Sequence, residues 1–122
     1  MAVFVHDLVI RTNSGFELPM QWVDKLKAPK PLSSYHARMQ IRENQGDAGD
    51  PLVDLDDGAI GGITLAEAGD IDVFIPRSKT AALAPFHGKV LEYDLLLVHK
   101  TDPEKTITLV EGEVRPEPGV TR

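Results

Sequence analysis

The sequence predicts an all-β domain: an antiparallel β-sandwich, immunoglobulin-like or jelly-roll-like, of about seven or eight short strands with at most one short helical turn. Three observations carry this. Apolar side chains recur at every second position in several segments, turn-forming clusters fall about every eight to twelve residues, and no segment sustains a helical period. The clearest case is "PLSSYHARMQIREN", residues 31–44, where Tyr35, Ala37, Met39 and Ile41 alternate with His36, Arg38, Gln40 and Arg42. A strand's side-chain period of two places the first set on one face and the second on the other, which a helix does not do.

From the N-terminus, "VFVHDLVIR" is rich in β-branched and aromatic residues and ends at the turn cluster "TNSG". "GFELPMQWV" follows with Phe16, Leu18, Met20 and Trp22 alternating, so these two segments are expected to form a first hairpin. Pro19 cannot donate a ladder hydrogen bond, which places its strand at a sheet edge or a bulge. "DKLKAPKP" reads as an exposed connection before the Tyr35 strand, and "ENQGDAGDP" as a loop after it. "LVDL" is a short strand; "ITLAE" and "IDVFIP" flank "AGD" as a tight hairpin in which Gly69 takes a positive φ. "SKTAAL" suggests one helical turn capped by Ser78. "KVLEYDLLLVHK" alternates Leu91, Tyr93, Leu95 and Leu97 against Glu92 and Asp94, then Leu96 and Val98, and so reads as a central strand buried on both faces in its second half. "ITLVEGEV" is the last strand. The domain is expected to span 1–114, with "RPEPGVTR", 115–122, as an extended Pro-rich tail. Phe16, Met20, Trp22, Met39, Ile41, Val73, Ile75, Tyr93, Leu95 and Leu109 are expected to share one core.

At 122 residues the chain is one domain, long enough to bury a core without metal or disulfide, and it has no cysteine to supply either. A formal charge of −6 opposes a polyphosphate partner, because the thirteen Lys and Arg are scattered apart from Lys25, Lys27 and Lys30. No run approaches the 18 or so apolar residues of a membrane helix, and the N-terminus lacks the pattern of a signal peptide.

The motifs of chemistry are missing. His6, His36, His87 and His99 form no HxH or HxxxH pair. The acidic stretch holding Asp47, Asp50, Asp54, Asp56 and Asp57 lacks the EF-hand spacing and its terminal Glu, so it reads as a solvated loop and no metal is expected. No serine lies on a GxSxG elbow, and "GGITLAEAG" is not a dinucleotide fingerprint. Trp22, Tyr35 and Tyr93 all lie on the apolar side of their patterns and read as core. No enzyme and no cofactor are expected. An enzyme would need a concavity with two converging carboxylates or histidines.

The ordered motifs do resemble a known group. "LSSYHARMQIR" resembles the Leu-Thr-Gly-Tyr-x-Ala-x-Met-x-Ile-Arg strand of small tailed-phage and prophage structural proteins, and "GGITL", "TAAL", "YDL", "LVEG" and "VTR" are similar to its later segments in the same order. Ser33-Ser34 stands where that group more often has Thr-Gly, and "KLKAPKP" is longer and more basic than its usual turn. The group looks related to the N-terminal β-sandwich of phage upper baseplate proteins, receptor-binding adaptors. The resemblance implies a virion structural or adaptor protein of tail, baseplate, neck or capsid surface, made in the bacterial host cytoplasm and present in multiple copies. Its partners would be other virion proteins, with no nucleic acid and no membrane. Contacts are expected from Lys25, Lys27, Lys30, Asp47, Asp50, Asp54, Asp56, Asp57, Arg115 and Arg122, through loop charge and β edges. The alternative is a carbohydrate-binding module for a host surface glycan, which an exposed aromatic cluster would favour and a buried Trp22 and Tyr93 would not.

Overall fold

The structure, a computed structural model, describes residues 4–23, 26, 31–44, 46, 49–66 and 68–120. These form nine strands: β1 Phe4–Val5, β2 Leu8–Arg11, β3 Phe16–Gln21, β4 Tyr35–Arg42, β5 Val53–Asp56, β6 Ile63–Leu65, β7 Asp70–Ile75, β8 Leu91–His99 and β9 Ile107–Glu117. The larger sheet runs β1-β9-β8-β4-β5, with β2 also on β9; the smaller runs β3-β7-β6. The chain is therefore mostly β, as its alternation predicts. The sheets are not purely antiparallel, because β1 and β2 run parallel to β9.

The alternation in β4 does what a period of two requires: Ala37, Met39 and Ile41 are buried while His36 and Arg38 are exposed. β8 lies between β4 and β9, with Leu91, Tyr93, Leu95 and Leu97 buried. Leu96 and Val98 are only half-buried on its other face, so burial there is one-sided rather than double. Opposite β8 the ladder passes from Leu95↔Val110 to Leu96↔Thr108, leaving Leu109 as the extra residue of a bulge. Both Leu109 and Val110 are thereby buried.

The expected first hairpin does not form. β2 goes to β9 and β3 goes to β7, so the "TNSG" turn carries the chain between sheets. Two long-range bonds fix that crossing. The Thr12 N–H donates to the Glu117 carbonyl at 3.0 Å, and the fully buried Thr80 hydroxyl donates to the Ser14 carbonyl at 2.8 Å. β3 with Pro19 lies at the edge of its sheet, as a proline without an N–H demands. The β6–β7 hairpin forms around Gly69, at φ +83°, whose N–H donates to the Ala66 carbonyl.

The helical segment is longer than one turn: α1, Arg77–Thr80, continues as a 3₁₀ helix over Ala81–Phe86. Ser78 does not cap it. Pro76 occupies the cap position, and its carbonyl accepts from the N–H groups of Lys79 and Thr80. Buried Leu83 anchors the segment to the core.

The boundary of the tail also moves. β9 continues through Arg115, Pro116 and Glu117, which face Val9, Ile10 and Arg11, and Pro116 is buried. Its missing N–H costs no ladder bond on the β8 side, since β8 ends at Leu91 opposite Val114. Of the ten expected core residues, Phe16 and Met20 are half-buried against the core; the other eight are buried within one cluster that draws on both sheets.

Candidate functional site

The acidic stretch after β4 is used within the chain. Arg38 Nη2 donates to Asp54 at 2.9 Å and Nε to the same carboxylate at 3.3 Å, which raises the Arg38 pKa further. The Asp56 carboxylate accepts the backbone N–H groups of Gly58, Ile60 and Gly61 at 2.9, 3.0 and 2.9 Å. Those bonds hold its pKa below the ordinary carboxylate value, the Gly61 N–H contributing most. Its stabilisation of the loop is therefore present at neutral pH and lost as pH falls through the lowered pKa. Asp57 accepts the Ala37 N–H at 3.1 Å and lies 3.4 Å from His36 Nδ1. These three carboxylates organise the loop from β5 to β6. Asp50 is exposed, and among the described residues Arg115 reaches Glu113, at 3.4 Å. Lys25, Lys27, Lys30, Asp47 and Arg122 lie outside the described residues. Among the described residues no group of three His, Asp or Glu is placed to hold a metal ion.

Elsewhere the described residues form further concavities, two of which bear on function. One, of about 340 Å³, opens on the outer face of the larger sheet between Gln40, Arg42, Glu92, Asp94 and Glu111. Its residues come from β4, β8 and β9, whose registers set Asp94 directly opposite Glu111 and Glu92 opposite Glu113. Like charges facing across a ladder oppose the pairing. Burial, and then the Glu111 charge, push the Asp94 pKa up, with Arg42 acting against them. An enzyme would need converging carboxylates in a concavity, and Glu92, Asp94 and Glu111 all line this groove. Both Asp94 and Glu111 are only half-buried, and the groove is open to water.

The raised pKa gives a signed prediction. The folded protein holds the Asp94 proton more tightly than the unfolded chain does, so the ionised form costs stability at neutral pH, and the cost fades as pH falls through the raised pKa. Asp94→Asn is expected to raise the melting temperature at neutral pH, with the difference shrinking in acid. Melts of both proteins at several pH values check it.

The second concavity, also about 340 Å³, is apolar and lies where the edges of the two sheets approach, between Phe4 and Val5 on one side and Leu18, Met20 and Trp22 on the other. Above it the first strand is tied down by an unusual set of contacts. Tyr93 faces Gly112 in the β8–β9 register, and its hydroxyl donates a short hydrogen bond to the His6 carbonyl beyond. Burial, with a smaller contribution from the Asp7 charge, pushes the Tyr93 hydroxyl pKa up to about 12. Asp7 in turn accepts the Glu113 N–H at 2.9 Å, replacing a backbone acceptor.

Neither concavity is legible from the sequence, because each depends on which strands are neighbours. Once the register is known, the positions of Asp94 and Glu111 follow from alternation alone. No protein-family model matches the chain, and no curated protein matches it.

Proposed function

We propose that this protein is a non-enzymatic structural or adaptor component of a tailed-phage virion, acting through protein–protein contacts. The two sheets are then the layers of a β-sandwich packed through their shared core. The reading rests on the resemblance of "YHARMQIR", "GGITL", "TAAL", "YDL", "LVEG" and "VTR", in that order, to phage and prophage structural proteins. One structural observation favours it over glycan binding: Trp22 and Tyr93 are buried in the core, and Trp22 packs edge-on to half-buried Tyr35 at 6.0 Å between ring centroids. The exposed phenylalanines, Phe4 and Phe74, belong to different sheets and supply no shared platform.

The C-terminal segment supplies the test. Residues beyond Glu117 leave the ladder, and Val120 is exposed. Truncation after Glu117 is expected to change the melting temperature little while weakening incorporation into particles. Truncation after Val114 should also lower the melting temperature, because it strips the partners of Val9, Ile10 and Arg11. Normal incorporation of the shorter proteins would count against the tail as a docking element.

A further inference from the structure

We propose that the open edge of the N-terminal strand pairs with the same edge of a second copy of this chain, as a two-fold symmetric antiparallel ladder centred on Val9. The inference deepens the reading above, on which it rests for the expectation of several copies. β1 and β2 keep one register against β9, from Phe4↔Val110 to Arg11↔Glu117, and pair with no other described strand. β1 and β2 therefore lie along one edge, interrupted at His6 and Asp7.

Three features make this edge complementary to itself. The first is the direction of its backbone groups. His6 and Thr12 donate their N–H groups to Glu111 and Glu117 at 2.9 and 3.0 Å, so the even-numbered residues serve the ladder to β9. Alternation within β2 turns the N–H and C=O groups of Val9 and Arg11 to the open side, where an antiparallel partner centred on Val9 would exchange bonds with them.

The second feature is charge. In "DLVIR", residues 7–11, two-fold pairing about Val9 sets Asp7 opposite Arg11 of the second copy, and Arg11 opposite Asp7, giving two ion pairs. Asp7 is exposed and uses one carboxylate oxygen, Oδ1, on Glu113. Arg11 is exposed, and its own contacts are long: 4.0 Å to Glu117 and 3.4 Å to the Pro118 carbonyl. Such exposed contacts hold a side chain weakly.

The third feature is the apolar match. Val9, 51% exposed, meets itself at the centre. Leu8 and Ile10, on the inner face, are already buried in their own subunit, so Val9 alone supplies the apolar contact of β2. Proteins usually blunt such an edge with a charge that repels its own image. Here the charges attract their images, and the interface is the isologous kind that closes as a dimer.

The test is sedimentation velocity of the full chain over a wide concentration range. The wild type is expected to reach twice the 13.4 kDa of the chain. Val9→Lys puts two like charges face to face, and Arg11→Asp puts carboxylates against carboxylates. Each should leave the melting temperature nearly unchanged and abolish the dimer. Combining Arg11→Asp with Asp7→Arg restores opposite charges and should restore the dimer; should that variant fold poorly for loss of the Glu113 bond, Val9→Lys decides. A wild type that stays monomeric, or a dimer indifferent to Val9→Lys and Arg11→Asp, overturns the pairing. A monomer that still enters particles would refute the pairing alone, and a dimer never found in particles would refute the virion reading alone.

Discussion

Replacing Leu95 by alanine is expected to cost roughly 3–5 kcal/mol. Leu95 is fully buried at the middle of β8, paired with Met39 on one side and Val110 on the other, both buried themselves. The two neighbouring strands, β4 and β9, fix the backbone around it, so the site cannot collapse to fill the space, and such sites lie at the high end of the Leu→Ala range. Against a total stability of about 5–15 kcal/mol, that loss leaves a marginal domain. Trp22→Ala should act on a similar scale from the other side of the core. Thermal and denaturant melts read both. If both were silent, the core assigned to the two sheets would be wrong.

Gly112→Ala is the second large effect, and its cause is contact rather than cavity. A Cβ at Gly112 would lie 2.2 Å from the His6 carbonyl oxygen and 2.8 Å from its carbon, so backbone must move. The displaced segment also carries the acceptor of the Tyr93 hydroxyl and the Asp7 carboxylate that takes the Glu113 N–H. A loss of about 3 kcal/mol is expected, at the upper end for overpacking. Tyr93→Phe removes only the hydroxyl bond and should cost about 1 kcal/mol. Amide exchange gives the discriminating readout: protection should fall first in residues 6–11 and persist in β4 and β8. An alanine variant as stable as the wild type would contradict the close approach of the first strand to β9.

The contrast between these residues shows what a sequence can and cannot display. Leu95 is legible because its alternation with Glu92, Asp94 and Leu96 is a local property of one strand, and β4 is legible for the same reason. Gly112 reads as an unremarkable glycine within "LVEGEV", since its role depends on a strand more than a hundred residues away. The pairing of β2 with β9 instead of β3 was hidden likewise: a turn cluster such as "TNSG" fits a hairpin and a crossing equally well. What decided it was Thr12 bonding Glu117 and Thr80 bonding Ser14, both long-range contacts. The candidate grooves follow the same rule. Alternation says that Asp94 and Glu111 each leave the apolar face, but only the register brings them opposite one another. The acidic stretch has a role within the chain that its sequence does not display. Its carboxylates read as solvated loop charge, while Asp54, Asp56 and Asp57 hold Arg38, the loop backbone and the Ala37 N–H.

The measurement that bears most directly on the proposed virion role is the protein composition of purified tailed-phage particles released, by infection or induction, from cells that carry the gene for this chain. Quantitative mass spectrometry of particles washed free of lysate should find the chain at a fixed, multi-copy ratio to the major tail or capsid proteins. Its absence from complete, infectious particles would contradict the account.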